Sequence, residues 1–129
     1  MKLDQAFGIH EQALKLRAER SEVLAANLAN ADTPGYKARD FDFDKVLRGQ
    51  MPPATQLAAT NGRHIGSAPS LVPSNALEYR IPLQPSVDGN TVDAETEQVA
   101  FSRNAMEYEA SLRFLDGRIR GLLTAIRGD

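Results

Sequence analysis

Apolar positions recur with a helical period at both ends of this chain and lose that period in the middle. From Leu3 to Ala31 one stripe holds Leu3, Phe7, Leu14, Leu24, Leu28 and Ala31, interrupted by His10, Arg17 and Ser21. A neighbouring stripe carries Ile9, Ala13, Leu16 and Val23. Together they predict a helix with a wide, imperfect apolar face. From Asp93 to Ile126 the pattern is cleaner. Phe101, Ala105, Tyr108, Leu112, Leu115, Ile119, Leu122 and Ile126 alternate by four and three without a miss. That period of 3.5 is the mark of coiled-coil packing. Acidic residues at its start (Asp93, Glu95, Glu97) and arginines towards its end (Arg113, Arg118, Arg120, Arg127) suit the helix dipole. Thr91 and Asp93 are the candidate N-caps. Gly117 and Gly121 sit off the seam, where only the close approach of another backbone would justify their cost to the helix.

Proline marks the boundaries. Six of the seven prolines lie between Pro52 and Pro85, and the seventh is Pro34. A long helix is therefore allowed at either end and excluded between them. The run from Asn30 to Tyr36 reads as a helix stop followed by a type II turn, with Pro34 at its second position and Gly35 at its third. Asp40 to Asp44 alternates polar and apolar, as does Leu77, Tyr79, Ile81 and Leu83, so both predict short extended segments, the second demoted to an edge by Pro82. Residues 49–76 read as a long loop. The predicted division is a helix over 1–33, a turn, extended and loop-rich insert over 34–92, and a helix over 93–129, forming one domain. The fold class is mainly α, with the terminal helices packed as an antiparallel, coiled-coil-like hairpin.

At 1.5 Å per residue the two helices span about 40 and 50 Å. A two-helix pair covers one side of each, and the short middle is expected to leave the wide stripe of the first helix partly bare. Each large side chain on a seam is worth roughly 1.5–3 kcal/mol when buried, so the pattern calls for partner helices. The alternative is a monomer whose middle folds back over the exposed stripe.

Composition narrows the chemistry. The net charge is -2, so no global basic field exists to hold nucleic acid. With no cysteine there is neither a disulfide framework nor thiolate chemistry. No apolar run approaches the ~18 residues of a membrane span, and the first seventeen residues lack the apolar stretch of a secretory signal peptide. His10 and His64 lie far apart and outside any metal motif. Asp40, Asp42 and Asp44 resemble the start of a calcium loop, but Lys45 and Met51 stand where that loop needs glycine and glutamate. Alternating aspartates on the wet side of a strand explain them better. Glu95, Glu97, Glu107 and Glu109 read as a solvated helix face. No nucleophile, phosphate-binding or dinucleotide motif is present. No cofactor, metal, small-molecule substrate or nucleic acid is expected, and an enzyme is disfavoured.

Residues 21–43 carry a more specific signal. Asn27-Leu28-Ala29-Asn30-Ala31-Asp32-Thr33-Pro34-Gly35-Tyr36-Lys37 resembles the N-terminal signature of bacterial flagellar rod and hook proteins. The continuation from Ala38 to Phe43, the run from Val87 to Asp93, and Asn104, Tyr108, Arg113, Phe114 and Leu115 resemble the flagellar basal-body rod protein family, its proximal members in particular. The resemblance covers roughly residues 1–48 and 87–127. It implies a non-enzymatic subunit of the periplasmic rod, the drive shaft between motor and hook. It also implies export by the flagellar type III apparatus without a cleaved signal peptide, and partners among other copies and other rod and basal-body proteins. Under it the assembly seam comprises the eight positions of the C-terminal stripe with Leu3, Phe7, Leu14, Leu24 and Leu28, and the family turn comprises Asn27, Asn30, Thr33, Pro34, Gly35 and Tyr36. Related export substrates carry a Phe-x-x-x-apolar element that docks on the export gate, which Phe43 and Leu47 match; the same pair also reads as ordinary core. A sister proximal rod subunit and a helical adaptor with one partner are the alternative readings.

Overall fold

The computed structural model describes residues 2–50, 70–82 and 84–128, with residues 2–6 as backbone alone. Two long helices dominate it, α1 (Lys2–Ala29) and α3 (Ala94–Arg127). Asp93 caps α3: its carboxylate accepts from the N–H groups of Glu95 and Thr96 and, at 2.9 Å, from the Thr96 hydroxyl. The Thr96 hydroxyl and then its amide hold the Asp93 carboxyl below the usual carboxylate range. Gly128 closes the other end in a left-handed conformation (φ +73°), its N–H bonded to the Thr124 carbonyl.

α1 and α3 run antiparallel. Asn27 meets Glu97 near the turn, then Ser21 meets Asn104, Arg17 meets Glu107, and the His10 ring packs 4.9 Å from that of Phe114. The mainly α hairpin that the two periodic stripes predict is thus the architecture observed. α1 stops at Ala29, two residues before the apolar stripe ends and four before the predicted boundary at 33, and Asn30 begins the turn.

The middle is more structured than its composition suggests. Asp40 to Asp44 is not one strand. Only β1 (Arg39–Asp40) is extended, and a helix, α2 (Phe43–Gln50), follows at once. Asp42 explains the switch. Its side chain accepts from the Lys45 N–H at 3.2 Å and its carbonyl from the Val46 N–H at 3.0 Å, so it caps a helix where alternation alone suggested a strand. β2 (Glu78–Tyr79) pairs antiparallel with β1, Arg39 opposite Tyr79 and Asp40 opposite Glu78. Leu83 and most of the predicted loop, His64 included, lie outside the described residues.

α2 and the segment from Leu71 to Leu77 fold back onto α1. Leu16, Phe41, Val46 and Val72 form a buried cluster, with Val23, Phe43, Leu47, Leu71, Ala76 and Leu77 packed around it. Glu19 fastens the returning chain, accepting from the N–H groups of Leu71 and Val72 and from the Ser70 hydroxyl. The expectation that the middle is too short to cover α1 is therefore corrected. Its second stripe, Leu16 and Val23, is covered by this small layer. The bare apolar surface belongs to α3 instead.

Candidate assembly surface

The turn that follows α1 is held by a second turn 55 or so residues later. Pro34 and Gly35 occupy its central positions, the Tyr36 N–H bonds the Thr33 carbonyl at 3.3 Å, and Gly35 has φ +73°. The Gly35 N–H donates to the Asp88 carbonyl, and the Thr91 N–H to the Tyr36 carbonyl. Asn90, buried, directs its side-chain amide at the carbonyls of Asn30, Ala31 and Thr33, 2.8–2.9 Å away. It thereby satisfies acceptors that the end of α1 leaves open. Gly89 also has positive φ, and a Cβ there would lie 3.8 Å from the Gly35 Cα. Of the predicted turn residues, Asn30 bonds Thr33 and the Ala26 carbonyl, while Pro34 and Gly35 are exposed.

Asn27 does something different. It is fully buried, and its amide donates to the Arg39 carbonyl at 2.7 Å and to Glu97 at 3.2 Å. Its Oδ1 accepts from the Arg39 N–H and the Tyr36 hydroxyl. Glu97, only 1 % exposed, also binds the Arg80 guanidinium. Arg80 donates in turn to Asp40, which Arg20 grips with two nitrogens at 3.2 Å. Two arginines and two carboxylates thus balance at the point where α1, α3 and the β1–β2 pair meet. Burial pushes the Asp40 carboxyl up, but hydrogen bonds from Arg20, Arg80 and the Phe41 N–H outweigh it and hold it below the usual range. Glu97 is therefore not part of a solvated face, and Asp40 is not on the wet side of a strand.

The two sides of α3 differ. Towards α1 lie Glu97, Ala100, Phe101, Asn104, Glu107, Ser111, Leu115 and Leu122, all buried or half-buried. Of the eight seam positions, Phe101, Leu115 and Leu122 are among these, and Tyr108 stands at the margin. Leu112, Ile119 and Ile126 are 47, 44 and 80 % exposed, and Ala105 is exposed as well. Leu123 extends this apolar stripe; Met106 and Phe114 are also exposed but on other sides of the helix, Phe114 against the His10 ring. Gly117 and Gly121 lie off this stripe, and nothing stands within 4 Å of a Cβ at either. On α1, Leu24 is buried and Phe7, Leu14 and Leu28 are half-buried, while the side chain of Leu3 lies outside the described residues. Phe43 and Leu47 share α2 and pack on the Leu16 cluster, with the Arg17 guanidinium 4.3 Å from the centre of the Phe43 ring.

Among the described residues, no helix is long and apolar enough to cross a membrane, and no three acidic or histidine side chains converge as a metal site.

A family model described as "Flagella basal body rod protein" matches residues 7–37, which are most of α1 and the whole turn. Relatives match across the chain. The flagellar basal body rod proteins FlgB of Aeromonas hydrophila and of Escherichia coli are each 47 % identical, over 98 % of this chain and 96 % of their own. That of Cereibacter sphaeroides is 46 % identical over 95 % and 94 %. The chain belongs to the FlgB family of flagellar basal body rod proteins.

In this FlgB-family chain the 7–37 match contains Asn27, the Pro34–Gly35 turn and Tyr36, but not the distant residues that clasp them, Asp88, Asn90 and Glu97. The roles of Asn90, Arg80, Glu97 and Asn104 escaped the sequence reading, because each acts on a residue distant in the chain, 17 positions away or more. The one local hint was the spacing of Glu97, Asn104 and Ser111, which repeats by seven beside the apolar seam. The turn itself gives a direct expectation. Since a Cβ at Gly35 meets open space, only its backbone conformation resists substitution. Gly35→Val is expected to lose about 1–3 kcal/mol in urea denaturation. Gly35→Asn should lose clearly less, because asparagine tolerates positive φ. Equal losses would contradict the turn assignment.

Proposed function

We propose that this chain is a non-enzymatic structural subunit of the proximal rod, part of the periplasmic drive shaft of the flagellum. It polymerises through its terminal helices with other copies and with other rod and basal-body proteins. The observation that carries this reading is the outward side of α3. Leu112, Ile119 and Ile126, with Leu123, leave an apolar stripe along a helix whose inner side is already occupied. Repeated heterologous contact through such a surface builds filaments. Family membership supports the rod as the setting. Counting the chain in purified basal bodies tests the proposal: several copies per rod are expected, and a single copy would point to an adaptor instead.

The second element of the proposal is export by the flagellar type III apparatus, without a cleaved signal. Phe43 and Leu47 lie four apart on α2, one turn of helix, yet both are half-buried against the Leu16 cluster. A gate reaches them only while that cluster is unformed, so export reads the pair before folding. Phe43→Ala with Leu47→Ala is expected to retain full-length protein in the cytoplasm, by at least tenfold relative to the parent in a secretion assay. Normal secretion with failed rod assembly would make the pair structural only.

A further inference from the structure

The seam between α1 and α3 contains buried polar residues at a fixed interval, and these go beyond what polymerisation requires. On α3, Glu97, Asn104 and Ser111 are seven apart and face α1. Asn104 has no exposed surface. Its amide donates to the Arg17 carbonyl at 2.8 Å and to the Ser21 hydroxyl at 2.7 Å. Ser21, its side-chain partner on α1, is among the residues that interrupt the apolar stripe, while the Arg17 acceptor is backbone.

Asn104 is a poor choice for stability. Among the described residues no donor reaches its Oδ1, although that atom is buried. A leucine in the same place would leave no such orphan, and apolar replacements of buried polar groups are often neutral or stabilising. What an apolar residue cannot supply is a unique alignment. The apolar positions repeat every seven residues, so hydrophobic contact alone fixes the two helices only to within a heptad. Slipped one heptad either way, Asn104 would stand level with Leu14 or Leu28 of α1 and lose the Ser21 hydroxyl. A buried amide short of a partner is what folded proteins avoid.

We infer that Asn104, with Ser21 and Arg17, is the register lock of the hairpin: a positioning residue that selects one antiparallel alignment of α1 on α3. The lock fixes the axial level of α3 on α1, so the Leu112–Ile119 surface stands at one height along the hairpin. This deepens the proposed assembly mode and rests on it only for its biological use. The alignment itself is a property of the isolated chain.

The chain has no cysteine, so paired spin labels report the alignment directly. Labels go on Glu22→Cys and Arg113→Cys, both exposed and well apart along the axis, so that an axial slip changes their separation. In the full-length parent one narrow distance distribution is expected. Asn104→Leu should add a second population, displaced along the axis by about 10 Å for seven residues at 1.5 Å each, with a urea midpoint no lower than the parent's. Asn104→Ala, which cannot overpack, should show the same second population. If neither variant populates a slipped distance, whether it keeps the single native distance or simply unfolds, the lock is overturned. Rod assembly is not needed for this readout, so its failure is separable from failure of the assembly proposal.

Discussion

Glu97→Ala is expected to destabilise the isolated chain by about 3–5 kcal/mol, the range for removing one partner from a buried ion pair. Against a typical total of 5–15 kcal/mol, that is enough to leave a large unfolded fraction. The cause is not the lost contact alone. Arg80 stays where β2 ends and Asn27 stays under β1, so a guanidinium and an amide are left facing each other without their shared acceptor. Glu97→Gln keeps one oxygen for Arg80 and should fall between parent and alanine variant. Asp40 adds a pH dependence to the same node. Its carboxyl is held below the usual range in the folded chain, so the unfolded chain takes up its proton first as pH falls. The stability it contributes is full above the ordinary carboxylate pKa of about 3.9. It is lost progressively below that, through the lowered folded value. Urea midpoints at neutral pH and across that acid range check both statements. A loss below about 1 kcal/mol for Glu97→Ala, the size of an exposed pair, would contradict the role given to the node.

The other large effect is on assembly rather than folding. Leu112→Asp combined with Ile119→Asp is expected to leave the monomer folded, within about 1 kcal/mol of the parent, because both side chains are already nearly half in water. Under the proposed assembly the same positions become dry, and an unpaired carboxylate there costs several kcal/mol per contact. Cells carrying the variant should secrete it yet build no hooks or filaments. Leu115→Asp makes the contrast. Leu115 is half-buried towards α1, so its charge should damage the monomer as well as the rod. Glu109→Lys breaks only an exposed i,i+4 pair with Arg113 and should stay motile. A motile Leu112→Asp, Ile119→Asp strain would place the packing surface elsewhere on the molecule.

The terminal helices were legible because their signals are local. Proline boundaries, a 3.5-residue apolar period, Asp93 before an acidic first turn, and Pro34–Gly35 each act within a few residues. α2 was not legible, because five alternating residues fit a strand as well as the start of a helix. The decisive fact, that Asp42 turns its carboxylate back on Lys45, is a choice between two local bonds. The junction was not legible for another reason. Glu97 looks like its solvated neighbours Glu95 and Glu109, and only Arg80 and Asn27, brought in by the turn clasp, distinguish it. The outward and inward sides of α3 were merged into one seam by counting apolar residues alone. Asn104 and Ser111 are polar, so that count passed over them and assigned Leu112 and Ile119 to a surface that α1 covers only in part.

A photo-crosslinking amino acid in place of Ile119, introduced in otherwise normal cells, tests most directly whether the outer side of α3 is the assembly surface. After irradiation and purification of basal bodies, the account predicts a crosslinked product joining this chain to another axial subunit of the rod. Basal bodies that contain the chain, with no crosslink from position 119 to any axial subunit, would contradict it.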